Sequence, residues 1–354
     1  MIRPNPMAGP VEPTPPGDGP FAFHRRLPGY APAPVVELAD PFGLGSVVVK
    51  DESNRFGLPS FKMLGASWAT YRTLVGRLGE EPDWSTVDEL AERLAPLRPL
   101  TLTTATDGNH GRAVAHMAAL LGFGARIFVP DEMVPARIEA IEAEGAEVVV
   151  IDGSYDEAVA AAAASGDVVI ADTGAGDAPR WVIEGYSTMF RELGDRTFDA
   201  VFTPVGVGAL GAAVVTAFRP GPTTLVAVQA SGAPCLPHSL AAGEVSTLPE
   251  TPQTIMSGIS CGTPSPTAWP LVSRGFDWTV TIEDDRARDA MRVLAREGIV
   301  SGETGAAALG GLLEVLAATG EGPELGPDSS VLVLSTEGAT DPVAYAEIVG
   351  AQAS

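Results

Sequence analysis

At 354 residues with 45% hydrophobic content, the chain can bury one large core or two moderate ones. Its 22 basic and 45 acidic side chains give a net charge of −23, and the long-range field of such a surface argues against nucleic acid or anionic membrane as a partner. That charge leaves open what a buried pocket binds, because local donors decide there.

The first residues lack the apolar stretch of a signal peptide. The alanine run at 160–164 is too short to span a bilayer, so no membrane partner and a cytoplasmic location are expected. Residues 1–34, rich in Pro and Gly without apolar periodicity, read as a meandering arm. A short strand at 47–50 leads into Ser60-Phe61-Lys62. A lysine in a semi-apolar turn can lose its proton, because desolvation disfavours the ammonium, and can then form an imine with a carbonyl cofactor. Over 63–77 the spacing of Leu64, Trp68, Tyr71 and Val75 is helical, and 84–97 reads as an acidic connector helix.

From residue 100 the chain alternates strand and helix. Strands are expected at 100–105, 125–129, 147–151 and 168–171, with helices at 111–121, 135–144 and 156–164 between them. Helices of this length between strands imply parallel pairing with right-handed crossovers. The fold class is therefore α/β with two doubly wound subdomains: a small one at 66–184, and a large one from 35–65 and 185–354. Between the first strand and helix lies Thr104-Ala105-Thr106-Asp107-Gly108-Asn109-His110-Gly111. Its small residues let the backbone approach a ligand, and the helix starting near Asn109 points unpaired N–H groups at an anion.

A buried strand at 198–205 then runs into Gly206-Val207-Gly208-Ala209-Leu210-Gly211 and an apolar helix, the pattern of a phosphate cradle. It also fits a dinucleotide fingerprint, which expects an acidic residue at the end of the next strand. That strand, 224–229, ends in Gln229, so a cofactor with one phosphate is the better reading and a nicotinamide enzyme the lesser. Further on, 255–270 is an irregular loop, 284–296 and 304–317 are helices, and 331–335 is the last core strand. Cys235 and Cys261, the only cysteines, have no His cluster at metal-ligand spacing, so no metal is expected; two reduced thiols or a labile disulfide both stay open.

Ser-Phe-Lys, a Gly-Asn-His loop and a glycine-rich phosphate turn, in that order, resemble the fold-type II pyridoxal-phosphate enzymes, the tryptophan synthase β-like group. Within it the chain is most similar to the diaminopropionate ammonia-lyases. Supporting segments are residues 54–67, 104–111, Asp172-Thr173, 181–186, 258–262, 301–305 and Ser335-Thr336-Glu337-Gly338. The resemblance implies pyridoxal 5′-phosphate on Lys62, a homodimer, and α,β-elimination from a small amino acid, 2,3-diaminopropionate giving pyruvate and ammonia. It implies that Lys62 is also the base for the L-isomer, that Asn109 donates to the cofactor's 3′-oxygen, and that Gly206, Val207, Gly208, Ala209 and Leu210 give main-chain donors to its phosphate. Ser335 or Thr336 would face the pyridine nitrogen, while Thr106 and neighbouring amides, with His110 beside them, bind substrate.

Asp107 discriminates within the family, since dehydratases usually carry a small residue there. A carboxylate at that point could take the Cα proton of a D-amino acid or hold a β-ammonium. Asp172, with Tyr155, is the other candidate for that ammonium. The chain departs from the ammonia-lyases in being shorter and in having Pro59-Ser60 before Phe61 where they usually have Asn-Ala. Serine/threonine dehydratase, β-replacement, a specialised biosynthetic lyase and a ligand-binding relative without catalysis are the remaining readings.

Overall fold

The computed structural model describes residues 1–350 apart from Ser154, Pro220 and Glu321. Among them are strands β1 (Ile2–Pro4), β2 (Val35–Glu37), β3 (Ser46–Asp51), β4 (Thr101–Ala105), β5 (Gly124–Pro130), β6 (Glu147–Ile151), β7 (Val168–Val169), β8 (Ala200–Pro204), β9 (Thr224–Ala230), β10 (Trp278–Ile282) and β11 (Ser330–Ser335). The chain divides into two compact units, one of residues 1–15, 32–54 and 189–354, the other of residues 16–31 and 55–188.

The first unit is built on a seven-stranded sheet in the order β1-β10-β9-β8-β11-β3-β2. Its five central strands are parallel and its two edge strands antiparallel. Every residue of β8 is buried, as a parallel strand covered on both faces requires. Phe202, Val226, Val228 and Val331 share one core with Leu309 and Leu312 of the helix Ala307–Ala317 and Met291 of the helix Asp284–Arg296. Truncating Phe202 or Leu309 to Ala would cost about 2–5 kcal/mol. Gly311 explains the glycines of that helix, because a Cβ there would lie 2.4 Å from Val228 Cγ2.

The second unit carries a four-stranded parallel sheet in the order β6-β5-β4-β7. The helix Lys62–Leu78 presents Trp68 and Tyr71 to an aromatic cluster with Phe23 and Trp84, in which Phe23 stacks on Tyr71 at 4.6 Å between centroids.

Several elements differ from expectation. The amino-terminal arm holds β1, which pairs with β10, and a helix Gly19–His24 whose Phe23 and His24 are buried. The connector is split: Thr86 and Glu89 form a capping box that starts the helix at Val87, a 3₁₀ turn follows at Ala95–Leu97, and Trp84 is withdrawn into the aromatic cluster under the Arg26 guanidinium. Strand β7 stops at Val169, and β10 has no counterpart among the expected elements.

Candidate active site

Lys62 owes its position to a tight turn. Arg55 and Leu58 exchange both backbone hydrogen bonds, and Phe56 and Gly57 between them take φ of 58° and 80°, the left-handed values of a two-residue hairpin turn. An aromatic residue in that region is strained. The rings of His24 and Tyr30, about 6 Å from that of Phe56, hold it there. The chain then passes through Pro59 to Ser60, whose Oγ accepts from the Lys62 amide at 3.3 Å, and the helix Lys62–Leu78 begins. Against its first turns lies the helix Asp177–Gly185. A Cβ on Gly185 would come within 2.4 Å of Leu64 O, and one on Gly65 within 2.6 Å of the Tyr186 ring, so glycine at both positions allows this approach.

The loop after β4 is organised by Thr106. Its Oγ1 accepts from the Gly108 and Gly111 amides at 2.9 and 3.0 Å, and no Cβ fits on Gly111 beneath it. The hydroxyl offered by the sequence to a substrate carboxylate thus uses its acceptor capacity on its own loop, keeping a proton to donate. Gly108, at φ 143°, precedes the helix Asn109–Leu121 and brings no side chain to cap it, so Thr106 Oγ1 on the Gly111 amide takes that part. Arg137 lies over this turn: its Nη1 donates to Asp107 O at 3.4 Å and its Cδ lies 3.1 Å from where a Gly108 Cβ would be. Nothing in the sequence marked Arg137.

Four ionisable side chains, Asp172, His110, Asp107 and Tyr186, surround Lys62. Its Nζ lies 2.7 Å from Asp172 Oδ2, and the same oxygen is 4.0 Å from His110 Nδ1. His110 Nε2 meets Ile170 O at 2.7 Å. Burial pushes the Asp172 carboxyl upward, but Lys62 and then His110 hold it down to about 2. Burial raises Asp107, against the pull of Lys62 and Arg137. For Lys62 the expectation that desolvation frees the amine is reversed. Burial does favour the neutral form, but Asp172 in hydrogen-bond contact, with Tyr186 and Asp107 behind it, outweighs burial and keeps the ammonium. Tyr186, absent from the expected site, is buried with a hydroxyl that has no hydrogen-bond partner among the described residues, and its ring sits 4.7 Å from that of Phe61. Tyr155 opens the helix Tyr155–Ala164 and packs half-buried against Ala105, Phe128, Ala158 and Ala162.

The glycine turn belongs to the first unit. It follows β8, and Gly208, at φ 104°, precedes the helix Ala209–Phe218 and brings no side chain to cap it. A Cβ on Gly206 would meet Cys261 Sγ at 3.0 Å and Gly258 O at 3.1 Å, and one on Gly208 would meet Ala268 Cβ at 3.2 Å. With no polar side chain at Gly206, Val207, Gly208, Ala209 or Leu210, main-chain amides at a helix start are what this turn could offer a phosphate. Buried Gln229 braces it from below, donating to Val205 O at 2.7 Å and accepting from the Leu236 amide at 3.0 Å. The residue that stands where a dinucleotide enzyme needs an acid is thus structural. Ser335 and Thr336, at the end of β11, are buried, and the Ser335 hydroxyl donates to Ser301 Oγ at 2.9 Å. Cys235 and Cys261 are not joined, and burial pushes the Cys235 thiol up to about 11.

Among the described residues no helix is long and apolar enough to cross a membrane. The family described as pyridoxal-phosphate dependent enzymes matches residues 26–337. Diaminopropionate ammonia-lyase of Escherichia coli (strain K12) is 34% identical over 92% of this chain and 89% of its own length, and that of Salmonella typhimurium is 32% identical over 93% and 90%. The crystal structure of the Escherichia coli enzyme in complex with D-serine superposes with a TM-score of 0.89 at 31% identity, covering 99% of this chain and 96% of that one. A second structure of it, in complex with an aminoacrylate-PLP azomethine reaction intermediate, gives 0.85. With a lysine and a phosphate turn suited to that cofactor and a family match over most of its length, the chain belongs to the pyridoxal-phosphate dependent enzymes and is a relative of the diaminopropionate ammonia-lyases.

Proposed function

We propose that the protein is a pyridoxal-phosphate dependent ammonia-lyase that converts 2,3-diaminopropionate and water to pyruvate and two molecules of ammonia. The observation that carries this reading is the Lys62–Asp172 pair at 2.7 Å, in a chain with 34% identity to a diaminopropionate ammonia-lyase. Pyridoxal phosphate, when bound, supplies the electron sink that makes a substrate Cα–H acidic.

Lys62 would hold the cofactor through its amine, Gly206 to Leu210 would hold its phosphate through their amides, Asn109 its 3′-oxygen, and Ser335 or Thr336 its ring nitrogen. Because Asp172 keeps Lys62 charged, the lysine must leave that carboxylate and shed its proton before its nitrogen can act as nucleophile or base. The freed amine takes the Cα proton of the L-isomer. Asp107 takes the Cα proton of the D-isomer from the other side; its raised affinity for protons, set by burial, suits it to that task. Asp172, with Tyr155, holds the β-ammonium, and Thr106 with the amides of its loop holds the carboxylate. Nitrogen leaves Cβ as ammonia, and hydrolysis of the released enamine gives pyruvate and the second ammonia.

We also infer a homodimer, for which the support is family resemblance, and a cytoplasmic location. The purified holoenzyme, offered D- and L-diaminopropionate, is expected to release pyruvate from both. Silence with both isomers while serine reacts would sink the substrate assignment in favour of a dehydratase.

A further inference from the structure

Resting on that reading, we propose that His110 Nδ1 and the Asp172 carboxylate form an acceptor pair that selects an ammonium leaving group over a hydroxyl. His110 thereby becomes a specificity-determining residue. The two ring nitrogens of His110 have different surroundings. Nε2 lies 2.7 Å from Ile170 O, and a carbonyl can only accept, so Nε2 carries the hydrogen. In the neutral ring Nδ1 is then a bare lone pair. Burial keeps the ring neutral against the pull of Asp172.

That lone pair is buried, meets no hydrogen-bond partner among the described residues, and lies 4.0 Å from Asp172 Oδ2. An unmet buried acceptor is costly, and a donor arriving with the substrate would recover that cost. Lys62 Nζ at 2.7 Å demonstrates that Asp172 accepts a primary ammonium in this place. A β-ammonium carries three N–H donors and can serve both acceptors. It departs as neutral ammonia when the Cβ–N bond breaks and its electron pair stays on nitrogen, while the Cα proton goes to Lys62 or Asp107. A β-hydroxyl has one hydrogen to give and leaves as water only after gaining a proton. An ionised carboxylate and a bare imidazole nitrogen have none to offer.

Two substitutions separate this role from anchoring. His110→Gln keeps a side-chain donor for the Ile170 carbonyl and removes the Nδ1 acceptor, whereas His110→Asn keeps a polar group near Nδ1 and gives up the anchor. With the holoenzyme, the quantity read is kcat/KM for diaminopropionate relative to serine, or relative to the inhibition constant of serine where serine is not turned over. H110Q is expected to lower this ratio about tenfold, chiefly through KM for diaminopropionate. H110N is expected to retain most of the ratio. Equal loss on both ligands in H110Q overturns the proposal. Independently of turnover, 15N NMR of the histidine-labelled wild-type protein is expected to show His110 as the Nε2–H tautomer, and a proton on Nδ1 overturns the proposal outright. A wild-type holoenzyme that releases no pyruvate from diaminopropionate overturns the parent reading as well, whereas an unchanged ratio in active H110Q overturns this inference alone.

Discussion

The surroundings of Lys62 and the turn at Gly206 handle charge in opposite ways. Around Lys62 the work is done by side chains: an ammonium, two carboxylates, an imidazole and a phenol lie close together, and the charges of Lys62 and Asp172 shift the proton affinity of the rest. At Gly206 to Leu210 no side chain is polar, and what we propose as the phosphate site would consist of main-chain amides at a helix start. Side-chain sites are thus sensitive to a change of charge at constant shape, and main-chain sites to a change of shape at constant charge.

The largest effect that sharpens this contrast is expected from Lys62→Ala. Loss of the amine should reduce pyruvate formation by at least about a thousandfold and abolish the absorbance of the bound cofactor, while the circular dichroism stays unchanged. Next comes Gly208→Ala, which adds one methyl at φ 104° and 3.2 Å from Ala268 Cβ. It should weaken cofactor binding about 10- to 100-fold by equilibrium dialysis and leave the titration of Lys62 untouched; a changed titration would break the comparison.

Asp172→Asn tests the side-chain site. With its main partner neutral, burial dominates and the Lys62 amine should deprotonate more easily, so that the cofactor-free protein takes up pyridoxal phosphate from a pH about 1–2 units lower. The same pair links stability to pH. Asp172 is depressed below its ordinary 3.8, so its contribution is complete above 3.8 and lost as pH falls towards about 2. Lys62 is raised above 10.5, so its contribution is complete below 10.5 and lost as pH climbs past its folded value. D172N should therefore destabilise the fold across the range between, measured by urea titration at several pH values.

The smallest effect belongs to Asp107→Asn. Because burial raises Asp107, its ionised form opposes folding near neutral pH, and the neutral amide should stabilise the protein by about 1 kcal/mol. The same substitution should reduce turnover of the D-isomer more than that of the L-isomer. Equal loss on both isomers would remove its side-specific role.

Much of the architecture was legible because its signals are local. The alternation from residue 100 to 169, the helix Asp284–Arg296 and the strands β3, β8, β9 and β11 each follow from the pattern within one segment, and the parallel four-stranded sheet follows from helices of that length between its strands. Lys62 and the loop at Thr106 to Gly111 were legible through residue types at short spacing. Trp84 was misjudged, because its helical spacing competes with a capping box two residues on and with aromatic partners distant in sequence.

The sequence by itself determined which residues could carry amine, anion-binding and acid–base chemistry, since those capacities are properties of side-chain type and local backbone. Only the tertiary structure decided their charge states. Asp172 stands 110 positions from Lys62, and their contact at 2.7 Å turned an amine expected to be neutral into an ammonium. Tyr186 and Arg137 joined the site for the same reason, and so did the bare nitrogen of His110. Proton affinity in a buried place depends on distances between groups that folding sets, and no local pattern along the chain encodes those distances.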